Sequence, residues 1–139
     1  MSIELENLAR VGQLKKEPPS AAEFAGLLRS GISRLTDAQN TSLSFESRFD
    51  LAYNAAHSLS LAALRHAGYR SGNRFLVFQT LPQTLGSPAS IWRVLAKCHD
   101  QRNLAEYEGF FEVDERLLKD LLAANQDVLR AVESLKTLS

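Results

Sequence analysis

The stretch from Ser87 to Gly109, SPASIWRVLAKCHDQRNLAEYEG, decides the fold. Ser87 is a residue type that caps helices, and Pro88 suits the first helical position because it has no amide hydrogen to leave unpaired. Gly109 suits the end of a helix because it adopts the left-handed backbone conformation without strain. The stretch therefore predicts one long helix between these residues.

An arginine interrupts the apolar face of this predicted helix. The residues on that face follow at helical spacing. They are Ile91, Leu95, Cys98, Arg102 and Ala105. A guanidinium stays charged at every accessible pH, so Arg102 in the core would need carboxylate, carbonyl, phosphate or partner-chain acceptors. We interpret Arg102 as the centre of the functional region.

Two helices are predicted at the start of the chain. Leucines at helical spacing predict a first helix over residues 2 to 16, ended by Pro18 and Pro19. This segment, residues 1–17, either docks on the rest of the domain or frays beside it. Ser20 to Glu23 is a capping-box pattern and opens a second helix. Its apolar stripe is Phe24, Leu27, Leu28, Ile32 and Leu35.

A long third helix is predicted from Ser42 or Ser44, as its cap, to about His66, with Gly68 as the stop. One face holds aromatic, leucine and alanine residues. They are Phe45, Phe49, Ala52, Ala56, Leu59 and Ala63. Small residues let a neighbouring helix approach closely, which favours a bundle core or a dimer seam. Beside that face runs a mostly polar stripe: Asp50, Asn54, His57 and Leu61.

The remaining chain completes a helical pattern. Residues 68 to 73 predict a turn, and residues 74 to 86 a short helix, although Val77-Phe78 would also suit a strand. A last helix opens at Glu112 to Asp114, with Asp114 as its cap. Its inner side carries Leu118, Leu121, Leu122, Val128, Val132 and Leu135. The prediction is one all-α domain over residues 1–139, a bundle of about five main helices plus a short helix.

Composition narrows the functional class. Sixteen basic and sixteen acidic residues balance, so we do not expect an extended basic surface for nucleic acid. The single cysteine fits a reducing compartment, and the start of the chain lacks a signal-peptide core. With no apolar run of membrane length, we expect a cytoplasmic protein without membrane contact. No nucleotide-binding glycine loop or zinc motif is present, and the three histidines are scattered, so we expect no cofactor and no metal.

The segment that follows Arg102 gathers polar side chains on one side of the predicted helix. Glu106 lies one turn after Arg102, and His99 lies one turn before Arg102 and Asn103. An ordinary ion pair between Arg102 and Glu106 on a solvated face is one interpretation. The position of Arg102 on the apolar stripe favours a functional one. Binding candidates in this helix are Arg102, Asn103, Glu106 and Tyr107.

From about Phe45 onward, the sequence resembles the HEPN domains of prokaryotes. The resemblance lies in the long helix DLAYNAAHSLSLAALRHAGYR, a shorter apolar segment, and a helix that ends in RNLAEYEG. It implies a helical bundle that forms homodimers. Many HEPN domains are metal-independent ribonucleases of toxin–antitoxin, mobile-element or defence systems. Others lack catalysis and bind RNA, nucleotides or a nucleotidyltransferase partner.

The catalytic motif of that family is only partly present. Arg102 takes the place of the motif arginine, and Asn103 that of the polar residue after it. The motif histidine is missing, since Tyr107, Glu108 and Gly109 occupy its three allowed positions. The form Arg-x-x-Ala-Glu-Tyr resembles members for which ribonuclease activity is not the default expectation.

A ribonuclease would need a base, an acid and a cation at the phosphorane. Arg102 could supply the cation, while His57, or Glu106 with a raised pKa, could supply the base. We therefore hypothesise a composite site in which Asp50, Asn54 and His57 face Arg102 and Glu106, within one subunit or across a dimer axis. The alternative is that Asp50 or Glu106 only neutralises Arg102 and fixes the packing.

Three functions remain open at this level. The first, which we favour, is a homodimer that binds RNA, a nucleotide or a partner protein, such as a nucleotidyltransferase or antitoxin, without cutting RNA. The second is a ribonuclease with a rebuilt site, and the third a purely structural interaction bundle. Three further arginines, Arg65, Arg70 and Arg74, with Tyr69, either bind phosphates or simply complement the dipole at the end of a helix.

Overall fold

The computed structural model describes residues 2–108 and 115–137 and confirms the all-α prediction. Helices and two very short strands follow one another along the chain. They are α1 (Ile3–Arg10), β1 (Lys15–Lys16), α2 (Ala21–Ala38), α3 (Phe45–His66), β2 (Tyr69–Arg70), α4 (Arg74–Gln79), α5 (Leu81–Leu85), α6 (Ala89–Glu108) and α7 (Glu115–Glu133). The predicted helix end at Gly109 and the predicted start at Glu112 to Asp114 lie outside the described residues.

Helix α3 is the centre of the bundle. Helices α2 and α7 make its most extensive contacts, and α4, α5 and α6 also pack against it. Its small residues are buried within the bundle: Ala52, Ala55, Ala56, Ala62 and Ala63. Of the two uses predicted for these alanines, the structure shows the bundle core.

The close approach of α2 and α3 depends on a glycine. A Cβ atom added at Gly31 would lie 2.6 Å from Cδ2 of Leu59, a fully buried residue of α3. Since the two helices meet where α2 has no side chain, Leu59 fills the space above Gly31.

The helix boundaries follow capping chemistry. Ser20 Oγ accepts a hydrogen bond from the Glu23 amide at 3.2 Å, and Ser44 Oγ accepts one from the Ser47 amide at 3.1 Å. Ser44, not Ser42, is thus the cap of α3. At the other end of α3, Gly68 has a φ of +92°, and this left-handed conformation ends the helix.

The prediction of one helix over residues 2 to 16 is wrong beyond Arg10. The chain reverses at Gly12, whose φ is +83°, and Lys15–Lys16 then pairs antiparallel with Tyr69–Arg70. Leu14 is buried because this reversal returns it to the domain, not because it continues the helical stripe. The N-terminal segment therefore docks on the domain, with Leu5 and Leu14 in a small apolar cluster beside the main core.

Two predictions about the middle of the chain need correction. The turn predicted over residues 68 to 73 contains strand β2. The short helix predicted over residues 74 to 86 is two helices, α4 and α5, which meet at Thr80. Val77 and Phe78 lie in α4, so the strand alternative for them is also excluded. Across the described ranges, no helix is long and apolar enough to span a bilayer.

Candidate functional site

Helices α3 and α6 bring Arg102 between two carboxylates. Arg102 Nε donates to Asp50 Oδ1 at 3.0 Å, and Arg102 Nη1 donates to Glu106 Oε2 at 3.2 Å. Asp50 comes from the second turn of α3, whereas Glu106 lies one turn after Arg102 on α6. We call these three residues the Arg102 cluster. It joins the two helices and neutralises the guanidinium.

The Arg102 guanidinium lies at the surface and not in the core. Leu95 and Cys98, earlier on the same stripe, are fully buried, but the Arg102 side chain is 31% exposed. Its guanidinium carbon lies 5.3 Å from the ring centroid of Tyr53, a buried residue of α3. Arg102 thus covers the aromatic ring and keeps its charge at the edge of the bundle. The expectation of an arginine carried into the core is corrected in this respect.

A second arginine lies over the same ring. The guanidinium carbon of Arg74 is 5.5 Å from the Tyr53 centroid, and Arg74 Nη1 donates to Asn54 Oδ1 at 2.9 Å. Asn54 Nδ2 in turn donates to the backbone carbonyl of Asp50 at 2.9 Å. Burial raises the pKa of the Tyr53 hydroxyl. A row of polar contacts therefore runs from Glu106 through Arg102, Asp50 and Asn54 to Arg74.

His57 forms no hydrogen bond or ion pair with the three residues of the Arg102 cluster. Its ring meets Phe78 edge-on, with centroids 6.3 Å apart and an interplanar angle of 90°. Burial, helped by the nearby charge of Arg74, lowers the pKa of His57 from 6.5 to about 4. The imidazole is therefore neutral at pH 7 and a weak base. The structure brings Asp50 and Glu106 to Arg102 directly and Asn54 through Asp50, whereas His57 forms no hydrogen bond with any of these side chains.

Asn103 and Tyr107 lie on another side of α6. Together with Asp100 and Leu104 they line a shallow depression, and Tyr107 is largely exposed. His99 is in contact with the rings of Tyr53 and Phe75, with centroids 6.4 and 5.9 Å away. The polar residues predicted around Arg102 are thus divided between two faces of the helix.

A cleft of about 680 Å³ opens beside the Arg102 cluster. It lies between the start of α3 and the second half of α6, and we call it the Arg102 cleft. Its charged lining residues are Glu46, Asp50, Arg102 and Glu106, and its apolar lining includes Leu43 and Leu51. Its volume is within the range of pockets that bind small ligands or a few side chains.

Within the part of the chain that the structure describes, the buried arginine is Arg65, near the end of α3. Its side chain is 2% exposed. Arg65 Nε donates to Glu23 Oε1 at 2.5 Å, and its terminal nitrogens donate to the carbonyls of Pro18 at 2.7 Å and Glu17 at 3.0 Å. It thereby fixes the segment between β1 and α2 against the end of α3, a structural role that satisfies its charge and donors.

Arg70 extends this ion-pair network. It donates to Glu17 Oε2 at 2.9 and 2.7 Å and to Glu23 Oε2 at 2.6 Å, and its proximity lowers the pKa of both carboxyl groups. Of the three arginines considered for phosphate contacts, Arg65 and Arg70 are therefore paired with carboxylates. The third, Arg74, donates to the amide side chain of Asn54. The sequence carried a signal for Arg65, since it continues the buried line of Ser58 and Ala62 at helical spacing.

Within residues 2–108 and 115–137, no group of three or more histidine, cysteine, aspartate or glutamate side chains is placed to hold a metal ion. Comparison of the chain with protein-family models, with curated proteins and with solved structures gives no match.

Proposed function

We propose that this protein is a HEPN-like binding domain that engages its ligand through the Arg102 cleft and does not cut RNA. The observation that carries the proposal is the pairing of Arg102 with both Asp50 and Glu106 at the edge of an open cleft. The guanidinium is fixed by two carboxylates and by the Tyr53 ring, so it offers a preformed surface for binding.

Cleavage of RNA is disfavoured by the same geometry. Attack by a 2′-hydroxyl needs a base that accepts its proton near neutral pH. Burial lowers the pKa of His57 to about 4, and its ring packs against Phe78. Arg102, the cation that would stabilise a phosphorane, already neutralises two carboxylates.

As part of the proposal, the protein is a homodimer whose ligand is RNA, a nucleotide or a partner protein such as a nucleotidyltransferase or antitoxin. The dimer is an expectation from the HEPN resemblance. The outer face of α2 supports it, because Leu28 and the exposed Ile32 line a shallow apolar groove there. Its test is the molar mass in solution, measured by light scattering on a sizing column for wild type and Ile32→Glu.

The binding proposal is tested with immobilised wild type and Arg102→Ala in cell lysate, with bound protein and bound RNA quantified separately. Arg93→Ala is the matched control, since Arg93 is an exposed cation on the same helix. We expect at least one component that wild type and Arg93→Ala recover equally and that a folded Arg102→Ala protein recovers in a different amount. Equal recovery by all three proteins would contradict the proposal and favour a purely structural bundle.

A further inference from the structure

We propose that the Arg102 cleft binds a segment of a partner protein that carries an arginine or lysine beside an apolar side chain. The inference rests on the proposed function and specifies the ligand class for the same cleft. It follows from the charge of the lining, from the carboxylate oxygens left without a partner, and from the apolar wall.

The lining of the cleft is negatively charged. The lining contains three residues with a carboxylate, Glu46, Asp50 and Glu106, and one with a guanidinium, Arg102. The protein as a whole has no net charge, so this local excess distinguishes the cleft from the average surface. A cationic ligand is attracted to such a lining, and an anionic one is repelled.

The carboxylates of the cleft also retain free acceptor positions. Among the described residues, the Glu46 side chain makes no hydrogen bond or ion pair, and Glu106 uses one oxygen, Oε2, for Arg102. A carboxylate can accept several hydrogen bonds, so Glu46 and Glu106 can receive an ammonium or guanidinium donor without breaking the Arg102 cluster. Asp50 and Glu106 each accept one of the five N–H groups of Arg102, so a phosphate that approached the remaining N–H groups would lie beside two carboxylates that repel it.

The apolar part of the cleft sets the second requirement. Leu43, 37% exposed, and Leu51 line the cleft beside the carboxylates. An apolar ligand group that packs on Leu43 removes its own surface and that of Leu43 from water. A cation next to this apolar group would bind Glu46, which is three residues further along the chain than Leu43. A protein segment can carry an apolar and a cationic side chain side by side, one for Leu43 and one for Glu46. The phosphates of an RNA strand would instead lie against the three carboxylates.

The test is a selection of short random peptides displayed on phage, on the immobilised full-length protein. Enriched peptides are then synthesised, and their affinity is measured by fluorescence anisotropy beside a labelled single-stranded RNA. Two variants address the cleft, Glu46→Gln for the charge and Leu43→Ser for the apolar wall. Glu133→Gln on the exposed side of α7 is the matched control for the first, and Ile3→Ser, at an exposed apolar residue of α1, is the control for the second.

We expect the enriched peptides to be basic and to carry an apolar residue near the cation. Glu46→Gln and Leu43→Ser should each weaken binding about five-fold, the two controls less than about two-fold, and added salt should weaken it further. Neutral or acidic peptides, no enrichment at all, or RNA binding that depends on Arg102 would overturn the inference.

Inclusion of Arg102→Ala in the same affinity measurements separates this inference from the proposed function. Binding of RNA or of non-basic peptides that is lost in folded Arg102→Ala would overturn only the ligand class. Binding that is the same in wild type, Arg102→Ala and Glu46→Gln would contradict both, because no ligand would then depend on the cleft.

Discussion

Replacement of His57 by glutamine tests whether burial keeps this imidazole neutral in the folded protein. His57 lies against Phe78 and near Arg74, and its pKa falls from 6.5 to about 4. Glutamine has a similar size and no proton to gain in this range. Any difference in pH dependence between the two proteins therefore reports the protonation of His57.

The magnitude follows from proton linkage. Between pH 6.5 and pH 4 the unfolded chain binds a proton at His57 that the folded protein does not, so acid favours the unfolded state in that window. Above this window the imidazole is neutral in both states and the effect is absent. From about pH 7 to about pH 5, wild type should lose about 2 kcal/mol of unfolding free energy through His57 alone.

The assay is urea denaturation of wild type and His57→Gln at both pH values, with an NMR titration of the His57 ring. The difference between the proteins at pH 7 measures packing, and its change at pH 5 isolates the proton. We expect wild type to be more acid-sensitive than His57→Gln, and a ring titration midpoint near 4. A midpoint near the ordinary value with equal acid sensitivity would refute the reasoning and restore His57 as a candidate base.

Three further predictions concern stability and accessibility. Arg65→Met should lower the free energy of unfolding, measured by urea denaturation, by about 3 to 5 kcal/mol because it leaves buried acceptors unpaired. Arg102→Met, at a partly exposed ion pair, should lower it by no more than about 1 kcal/mol. Similar losses in the two variants would contradict the assigned roles. Gly31→Ala should lower the free energy of unfolding by about 1 to 3 kcal/mol, since the added Cβ would overlap Leu59. A melting temperature equal to that of wild type would show that α2 and α3 are further apart than in this structure. The thiol of Cys98 is fully buried and burial raises its pKa to about 12, so a thiol reagent should react only after denaturation.

The helices could be predicted from sequence because their determinants are local. The caps at Ser20 and Ser44 and the stop at Gly68 each depend on residues within one turn of the helix end that they define. The spacing of the apolar residues marks the buried face of each helix. The two-residue strands could not be found in this way. A strand of this length has no periodicity, and it is specified by pairing between Lys15–Lys16 and Tyr69–Arg70, more than fifty residues apart.

The candidate site was only partly accessible to the same reasoning. Helical spacing places Glu106 beside Arg102, and the polar stripe of α3 makes Asp50 a plausible partner. How deeply each arginine is buried depends on which elements pack over it. The spacing of residues along the sequence does not carry that information. Arg65 is buried because Glu17 to Pro18 and Glu23 fold over it, while Arg102 lies where the covering helices leave a cleft.

The central claim is that the Arg102 region binds a ligand without cutting RNA, and a single-turnover cleavage assay tests it most directly. Purified wild type, in excess over end-labelled single-stranded RNA and in the presence of EDTA, is compared with folded Arg102→Ala. We predict that the RNA stays intact with both proteins. RNA cleaved by wild type and left intact by Arg102→Ala would contradict the claim and show that Arg102 takes part in catalysis.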